Sequence, residues 1–476
     1  METFERVISD QGLTPFKALE SSPAPSMALS RASTPPSSPS GTSYGFPTFS
    51  NAVFLHSRMA RTGTNLDATL SDSKMAKKYA AKFFYFPARS LALLQPGRGH
   101  VVLPRGSPDL NELWAFYCER LGLSASQALW VSSHGNDCLE EDLLADEVAC
   151  SQIVLSCAKR LIVYAERPRL SDFALQNQLH IPCDSAEWKK TLGNKGILHP
   201  RPDAAAQAVL DQLLPGVRKP RGYLCATVEE LARAAELLLA AGIEDVLIKP
   251  ISGSDGEGIE FHRVSADFSG YSFQMGDVLL EEKLNLDLNC DGSIMSVVIH
   301  FFGSELFGPA CDQLLEGATN FQGTVCPSVA PASLCVECER ITLDLIRVVK
   351  PHGPGGVDFL FVDGKPYLTD INCGRFNGGH YPKAFHMQYA APGSCFVSFK
   401  YTPKSALRDL QLRLESASLD FVPLADSREA DAPPTGGDFG IFPLVHLTGQ
   451  FGMYMAFGKT LDTCMQLKHH FLDLAL

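Results

Sequence analysis

The stretch GVDFLFVDGKPYLTDIN, at residues 356–372, contains two runs of alternating apolar residues on either side of a turn at Asp363 and Gly364. An Asp-Gly pair between two such runs is a strong signal for a β-hairpin. Side chains alternate between the two faces of a strand, so the loop length decides which polar side chains share a face. The stretch therefore predicts an antiparallel strand pair that carries several acidic and amide side chains.

Two registers of this hairpin are open from the sequence. A two-residue loop pairs Asp358 with Thr369 and leaves Asp370 on the other face. A three-residue loop of residues 362–364, with its glycine left-handed in a bulge, makes Asp358, Asp370 and Asn372 project from one face. Three grouped oxygen ligands suit a hard cation, because Mg²⁺ prefers such oxygens together with water and phosphates.

The metal interpretation has an ordinary alternative, in which Asp370 and Asn372 are simply polar residues at a strand end. A carboxylate that follows an apolar strand face is costly to bury without compensation. We therefore expect a divalent cation, Mg²⁺ with Mn²⁺ as a substitute, on Asp358, Asp370 and Asn372.

A second signal lies upstream, where DVLIKP at residues 245–250 precedes the glycine-rich loop ISGSDGEG and the run IEFHRV. A glycine-rich loop between two strands is a flap that can close over phosphates with its backbone N–H groups. Lys249, at the end of the first strand, is placed to meet those phosphates, although an exposed Lys on a structural hairpin is the alternative. The flap residues expected to contact a nucleotide are Ser252, Gly253, Ser254, Gly256 and Gly258.

The segment VLLEEKL, at residues 278–284, is an apolar strand that ends in acidic residues. A linker strand of this kind can offer backbone groups to an adenine edge and a carboxylate to the adenine amino group. Such acids are more often plain surface residues. The residues expected at the adenine are Glu281, Glu282, Lys283 and Leu284.

The order of these signals resembles the ATP-grasp superfamily. TLGNK, which ends at Lys195, is similar to that family's first phosphate lysine, and VLIKP is similar to its second, at Lys249. LLEEKL resembles the adenine-binding hinge, and VDF…TDIN resembles the metal motif. The resemblance covers residues 187–390, and a segment of the size expected for a pre-ATP-grasp domain precedes it. Four motifs in order are more specific than any one of them.

The chain further resembles the peptide- and amino-acid-ligase branch, in particular peptide ligases of the pheganomycin type. The likeness lies in QLLEGATNFQGTVCPS at residues 313–328, in NCGRFNGG at 372–379 and in the late segment PLVHLTGQFGMYMAFGKTLDTCMQL. The family commonly has Arg two residues after the metal asparagine, whereas Arg375 stands three residues after it. Gly355 and Gly356 also stand where some ligases carry an Arg.

The resemblance implies an ATP-dependent ligase that joins a carboxylate to an amine through an acyl phosphate, as in peptide bond formation. Phosphoryl transfer needs alignment and charge neutralisation more than covalent catalysis. Lys195 and Lys249 would hold phosphates, and Arg375 would bind acyl-phosphate oxygens, unless it is a surface residue. His380 and His262 are candidates to remove a proton from the amine, although a lone His is more often packed or solvated.

Two other functions remain open. The first is a phosphotransferase of the same fold that forms no amide. The second is a nucleotide-binding regulatory protein without turnover, against which the complete acid–acid–amide set argues.

The expected fold class is α/β: an ATP-grasp fold, α+β in its ATP-binding part, after a small parallel-sheet domain. Strand-like HVVLP at residues 100–104, ALWVSS, IVLSC at 153–157 and RLIVYAE accompany the helical pattern LNELWAFYCERLGL. This part has no Walker lysine motif and no GxGxxG, so we assign it no chemistry. Further on, Thr227 as N-cap with Glu230 as capping-box partner predicts a helix that Gly242 closes.

The expected domains follow the composition along the chain. They are a disordered Ser- and Pro-rich tail at 1–52, a pre-ATP-grasp α/β domain at 53–185, an ATP-grasp domain with the nucleotide and metal site at 186–400, and an extension at 401–476 that completes it.

Bulk properties narrow the class of protein. The formal net charge of −12 argues against a general nucleic-acid binder, and no apolar run reaches the roughly 18 residues that span a bilayer. The 14 cysteines are scattered, as in reduced intracellular proteins, and the acidic start fits neither a signal nor a transit peptide. We expect a cytoplasmic enzyme with small-molecule carboxylate and amine substrates, and a homodimer as one option for its assembly.

Overall fold

The computed structural model of the protein describes a chain that folds around three β-sheets. The described residues are 52–56, 84–132, 139–156, 158–163, 168–182, 195–204, 207–251, 256, 258–265, 267–273, 276–317, 319–417, 419 and 439–475. No helix within these ranges is long and apolar enough to cross a membrane.

The first sheet is parallel and has four strands in the order β3-β2-β1-β4. The strands are β1 (Ala52–Leu55), β2 (His100–Pro104), β3 (Ala128–Val131) and β4 (Arg160–Val163). Its helices are α1 (Pro108–Leu121), α2 (Leu139–Ala145), α3 (Glu147–Leu155) and α4 (Pro168–Gln176), with 3₁₀ turns at Leu91–Leu93 and Ala125–Gln127. The predicted parallel sheet is confirmed, and Ser107 and the left-handed Gly122 bound α1.

The prediction of a strand at residues 153–157 is wrong, because α3 covers most of this run. Asp146 caps the helix, since its carboxylate accepts a hydrogen bond from the Ala149 N–H at 3.0 Å. Ile153 is fully buried on the inner face of the helix. A short apolar run does not distinguish a buried strand from a helix segment, and the cap at Asp146 decides between them.

The second sheet is antiparallel, in the order β5-β8-β6-β7. Its strands are β5 (Gly222–Cys225), β6 (Asp245–Pro250), β7 (Glu260–Arg263) and β8 (Val278–Glu282), and its helices are α5 (Val209–Leu213) and α6 (Val228–Ala240), after a 3₁₀ turn at Lys195–Leu198. The predicted cap of α6 is confirmed, because the Glu230 N–H donates to Thr227 Oγ1 at 3.2 Å. The Glu230 carboxylate accepts from the Ala226 N–H instead of from Thr227, so the capping box is altered.

The third sheet has nine strands, and all its pairs are antiparallel. The order is β14-β13-β9-β11-β12-β15-β17-β16, with β10 beside β9. The strands are β9 (Ser296–Phe302), β10 (Glu305–Leu306), β11 (Cys311–Glu316), β12 (Asn320–Cys326), β13 (Pro354–Val362), β14 (Lys365–Cys373), β15 (Cys395–Tyr401), β16 (Gly440–Leu447) and β17 (Phe451–Gly458). The helices are α7 (Ala332–Val349), α8 (His380–Tyr389), α9 (Leu407–Ser416) and α10 (Leu461–Ala475).

Helix α7 shares a hydrophobic core with the hairpin strands β13 and β14. In β13 the side chains of Val357, Phe359 and Phe361 are fully buried in that core. Burial of each such side chain contributes roughly 1.5–3 kcal/mol. The intervening Asp358 and Leu360 line a cavity on the opposite face. The alternation therefore aims the polar face of the hairpin into the cavity.

Helix α1 packs on the other end of the large sheet. The Tyr117 hydroxyl donates to the Leu444 carbonyl at 3.3 Å, and the Phe116 ring lies 5.4 Å from the Phe442 ring. The parallel-sheet region and the large sheet thus share one core, which holds residues 84–90 against the cavity.

Candidate functional site

One cavity of ≈ 360 Å³ lies among the second sheet, the large sheet and residues 84–90. We call its polar part the hairpin end, formed by Asp358, Asp370, Asn372, Lys195 and Lys249. The hinge residues Glu281, Glu282, Lys283 and Leu284 line one side of it. Beyond it lies the arginine end, formed by Tyr85, Phe86, Arg89, Phe321 and Lys400.

The hairpin brings Asp358 and Asp370 opposite each other, but its loop and register differ from the predicted ones. The loop has two residues, because Val362 pairs with Lys365, and both Asp363 (φ 51) and Gly364 (φ 67) are left-handed. The three-residue loop is therefore wrong. The register shifts instead inside the strands, so that Asp358 lies opposite Asp370.

The shift is a β-bulge at Thr369, since Phe359 pairs with Leu368 and Asp358 pairs with Asp370. The Thr369 carbonyl accepts a hydrogen bond from Lys249 Nζ at 2.9 Å, and the Thr369 hydroxyl donates to the Asp358 carbonyl at 3.2 Å. Lys249 therefore stabilises the bulge that brings the two carboxylates opposite each other.

The three predicted metal ligands meet on one face. Asn372 Nδ2 donates to Asp358 Oδ2 at 3.3 Å, and Lys195 Nζ lies 3.3 Å from Asp370 Oδ2. Asp358 Oδ1 and Asp370 Oδ1 are both buried and have no hydrogen-bond partner among the described residues. Two such oxygens are costly to bury, so this arrangement suits an added cation.

The two carboxylates differ in charge state. Burial and the neighbouring Asp370 raise the pKa of Asp358 to about 7. Burial also acts to raise the pKa of Asp370, but Lys195, Lys249 and Arg375 outweigh it and lower that pKa. Asp370 is therefore the ionised member of the pair at neutral pH.

Glu281 holds Lys249 in place. The residue is 2% exposed, and its carboxylate lies 3.1 Å from Lys249 Nζ and 2.8 Å from His199 Nε2. Burial acts to raise the pKa of Glu281, but Lys249 and His199 lower it to about 2. The sequence predicted that Glu281 and Glu282 contact an adenine. In the structure the Glu281 carboxylate pairs with Lys249 instead. The Glu282 carboxylate accepts a hydrogen bond from the Arg221 backbone N–H at 2.8 Å.

The flap is described in part. Ser252, Gly253 and Ser254 lie outside the described residues. Gly256 lines the cavity, and a Cβ at its left-handed position (φ +78) would lie 2.1 Å from the Thr319 carbonyl oxygen. Only glycine fits there, because Gly256 packs against Thr319 in the β11–β12 turn. Gly258 is exposed and does not line the cavity.

Arg375 lines the cavity and donates a hydrogen bond to Asn372 Oδ1. The glycines before Asp358 show why no Arg precedes this predicted metal ligand. A Cβ at Gly355 would lie 2.2 Å from the Phe301 ring, and one at Gly356 would lie 2.5 Å from Asn377 Nδ2. A side chain at either position would displace its neighbours.

Neither candidate histidine lines the cavity. His380 is fully buried, and its Nδ1 accepts the Asn377 N–H at 2.9 Å. Burial and the Lys383 charge lower its pKa to about 3. His380 therefore positions the turn before α8 as a neutral ring, and His262 contacts Glu260 on β7 at 3.2 Å.

Sequence reasoning missed the arginine end. Arg89 is 6% exposed, and its guanidinium carbon lies 4.2 Å from the Tyr381 ring centroid and 4.9 Å from that of Tyr85. The run FFYFPARS offers one signal, an Arg beside several aromatic residues. That pattern is equally typical of ordinary packing, so the sequence alone does not reveal the site.

Comparison with known proteins identifies the fold. No protein-family model matches the chain, and no curated protein matches it in sequence. The structure is similar to N5-carboxyaminoimidazole ribonucleotide synthetase in its ADP complex, with a TM-score of 0.50, 10% identity and coverage of 91% of this chain and 99% of that one. It is also similar to biotin carboxylase from Campylobacter jejuni in a β-γ-ATP complex, with a TM-score of 0.53, 12% identity and coverage of 90% and 92%.

These likenesses and the sheet arrangement define an ATP-grasp fold with a parallel-sheet domain at its N-terminal side. The predicted fold class is confirmed. At 10% and 12% identity these comparisons show the fold alone, and the activity has to be inferred from the residues of the site.

Proposed function

We propose that the protein is an Mg²⁺- and ATP-dependent ligase that joins a carboxylate to an amine through an acyl phosphate. One observation carries this proposal: two half-buried carboxylates, an amide and two lysines line a single cavity, and each carboxylate has one buried oxygen without a hydrogen-bond partner among the described residues. Such a set suits a nucleoside triphosphate with its cation, because side chains of both signs of charge line the same cavity.

The proposed domain limits follow the predicted ones. Residues 53–185 are the pre-ATP-grasp domain, 186–400 hold the nucleotide and metal site, and 401–476 complete the large sheet. The pairing of β17 with β15 within the same nine-stranded sheet supports the last assignment.

The donor set fits Mg²⁺, with Mn²⁺ as a substitute. Asp358, Asp370 and Asn372 would hold it, and the two buried carboxylate oxygens, which have no hydrogen-bond partner in the described part of the chain, support this. Among the described residues no three His, Cys, Asp or Glu gather as a metal site, so the nucleotide phosphates would complete the shell. The bound ion would offset charge on the transferred phosphoryl group.

In the proposed reaction each group of site residues has a separate role. Lys195 and Lys249 bind phosphate oxygens. The proposed role of residues 252–258, of which Gly256 lines the cavity, is to exclude water, which would hydrolyse an acyl phosphate. A substrate carboxylate oxygen attacks the γ-phosphorus, and ADP leaves. The amine nitrogen then attacks the acyl carbon, phosphate leaves, and the nitrogen loses a proton. Arg375 lies beside Asn372 to bind the acyl-phosphate oxygens.

Hydrolysis assays test the proposal directly. Purified protein should release ADP only with Mg²⁺ and an acceptable substrate pair, and mass spectrometry should find an amide. Asp370→Asn should lower ADP release by at least ~100-fold and keep a cooperative melting transition. The matched control is Asp409→Asn, because Asp409 is exposed on α9, and it should retain full activity.

Three outcomes contradict the proposal in different ways. Wild-type ADP release by Asp370→Asn would remove the metal assignment. A stable phosphorylated product that forms without an amine would make the protein a phosphotransferase. Binding of ATP without any turnover across a panel of amino acids and short peptides would make it a nucleotide-binding regulator.

A further inference from the structure

Three polar residues of the cavity wall each have one buried atom without a hydrogen-bond partner among the described residues. The atoms are His300 Nδ1 on β9, Thr324 Oγ1 on β12 and Asn377 Oδ1 in the segment before α8. His300 and Thr324 are 1% and 0% exposed. We call these three residues the acceptor cluster. A buried polar atom without a partner costs roughly 1–3 kcal/mol, so the cluster suits a ligand that supplies the partners.

Two members of the cluster converge on one point of the backbone. A Cβ on Gly379 would lie 2.8 Å from His300 Nε2 and 3.1 Å from Thr324 Oγ1. The two side chains come from β9 and β12, which are separated in the sheet by β11. Glycine at position 379 therefore lets the imidazole and the hydroxyl approach each other beside the cavity.

The third member connects the cluster to the hairpin end. Gly356 pairs with His300 on one side and with Asn372 on the other, so these residues form one row across β9, β13 and β14. Two strand spacings, about 10 Å, separate the two ends of the row. A Cβ on Gly356 would lie 2.5 Å from Asn377 Nδ2. The Asn377 amide therefore packs on the middle of the row, between His300 and the proposed metal ligand Asn372.

The chemistry of the cluster favours a ligand with N–H donors. The side-chain oxygen of Asn377 can only accept hydrogen bonds, and a threonine hydroxyl can also accept them. Burial and the neighbouring Lys383 lower the pKa of His300 well below its usual value. The His300 ring is therefore neutral, and one of its nitrogens is an acceptor. A carboxylate or a phosphate brings no donor to such atoms, whereas an amine nitrogen brings at least two.

We infer that the acceptor cluster binds the nitrogen of the amine substrate. The N–H groups of a primary amine donate to the cluster, and the nitrogen lone pair stays free to attack the acyl carbon beside the hairpin end. The inference rests on the proposed ligase function and assigns the place of its second substrate. It also names the class of that substrate, a compound with a primary amine that is held by neutral acceptors.

The test is calorimetric titration of the full chain in the presence of MgADP. The probes are glycinamide and L-phenylalaninamide, each compared with its hydroxyl counterpart, glycolamide or L-phenyllactamide. The titrations are made at about pH 8, where roughly half of an α-amino group is neutral. At least one amine should bind about tenfold or more tightly than its hydroxyl counterpart, because the exchange of NH₂ for OH removes a donor and leaves a buried acceptor unpaired.

Thr324→Val connects this preference to the cluster. Valine has nearly the shape of threonine, and the hydroxyl that it removes has no partner among the described residues. The variant should therefore melt like the wild type, while its preference for the amine falls about threefold or more. Asn377→Leu, which removes a second acceptor, should lower the preference by a similar factor.

Thr342→Val is the matched control. Thr342 is also fully buried, but its hydroxyl donates to the Cys338 carbonyl inside α7 at 2.9 Å, and the residue does not line the cavity. Its variant should keep the wild-type preference for the amine. If Asn377→Leu fails to fold, the comparison of Thr324→Val with Thr342→Val decides the question.

Three results overturn the inference. Neither amine binds more tightly than its hydroxyl counterpart, Thr324→Val keeps the full preference, or Thr342→Val loses as much of it as Thr324→Val. The proposed function fails separately. Its failure appears as absent ADP release by the wild type, which leaves Thr324-dependent binding of the amine probes intact.

Discussion

The two ends of the cavity differ in how the chain builds them. The polar face of the hairpin end comes from residues 356–372, a single supersecondary unit whose alternation is visible in the sequence. The arginine end combines residues 84–90 with β12 and β15, which both lie more than two hundred positions further along the chain. A site on one hairpin can be predicted from local pattern, whereas a site formed by distant segments depends on the tertiary fold.

The largest effect is expected at the hairpin end, from Lys249→Met. This change removes the donor to the Thr369 carbonyl and leaves Glu281 buried without its cation. We expect a loss of about 3 kcal/mol in the free energy of unfolding and no detectable ADP release. Urea denaturation and the ADP assay measure the two effects.

A double variant separates charge burial from function. Lys249→Met with Glu281→Gln removes the uncompensated carboxylate, so most of the lost stability should return while ADP release stays absent. If Lys249→Met alone unfolds like the wild type, the Lys249–Glu281 pair does not stabilise this end.

Lowering the pH should change the free energy of unfolding in opposite directions at the two ends of the cavity. His380, beside the arginine end, has a pKa lowered to about 3 by burial and Lys383. The unfolded chain therefore binds a proton there first, and stability is lost as the pH falls below 6.5. Asp358 has a pKa raised to about 7 by burial and Asp370, so the folded chain takes up its proton first and stability is gained below pH 7.

Variants make this contrast measurable by urea denaturation at pH 7 and pH 5. His380→Asn keeps an acceptor for the Asn377 N–H. Its free energy of unfolding should fall by about 2 kcal/mol less than that of the wild type when the pH is lowered from 7 to 5. The free energy of unfolding of Asp358→Asn should fall by more than that of the wild type, because the variant lacks the carboxyl group whose protonation stabilises the folded chain. Identical pH dependence in all three proteins would contradict both assignments.

The smallest effect is expected at the turn of the hairpin. The Asp287 carboxylate accepts hydrogen bonds from the N–H groups of Asp363 and Gly364, at 3.1 and 2.8 Å. Asp287→Ala should cost about 1 kcal/mol in the free energy of unfolding. Asp291→Ala is the control, since among the described residues its carboxylate accepts side-chain and backbone hydrogen bonds from Ser293 in its own loop. Equal stabilities of the two variants would show that Asp287 does not fix the turn.

These residues show where sequence reasoning stops. The pattern of strand, glycine loop and strand predicted Lys249 near the end of a strand, where β6 has it, and its role towards phosphates stays a prediction. The alternation within 356–372 indicated a hairpin with a polar face. The bulge at Thr369 could not be predicted from the sequence, because the hydrogen-bond donor to its carbonyl, Lys249, lies 120 positions away. His199 was missed for the same reason, since only the fold brings it to Glu281, 82 positions on.

The bulge has a further consequence for the behaviour of the protein in solution. Strand β14 is an outer strand of the nine-stranded sheet, and such strands are templates for intermolecular pairing. Here the Leu368 N–H donates to the Arg218 carbonyl at 2.9 Å, while Lys249 occupies the carbonyl of Thr369. Lys249, a residue of the proposed catalytic cavity, therefore also occupies a backbone acceptor of an outer strand, and its loss should favour self-association as well as inactivity.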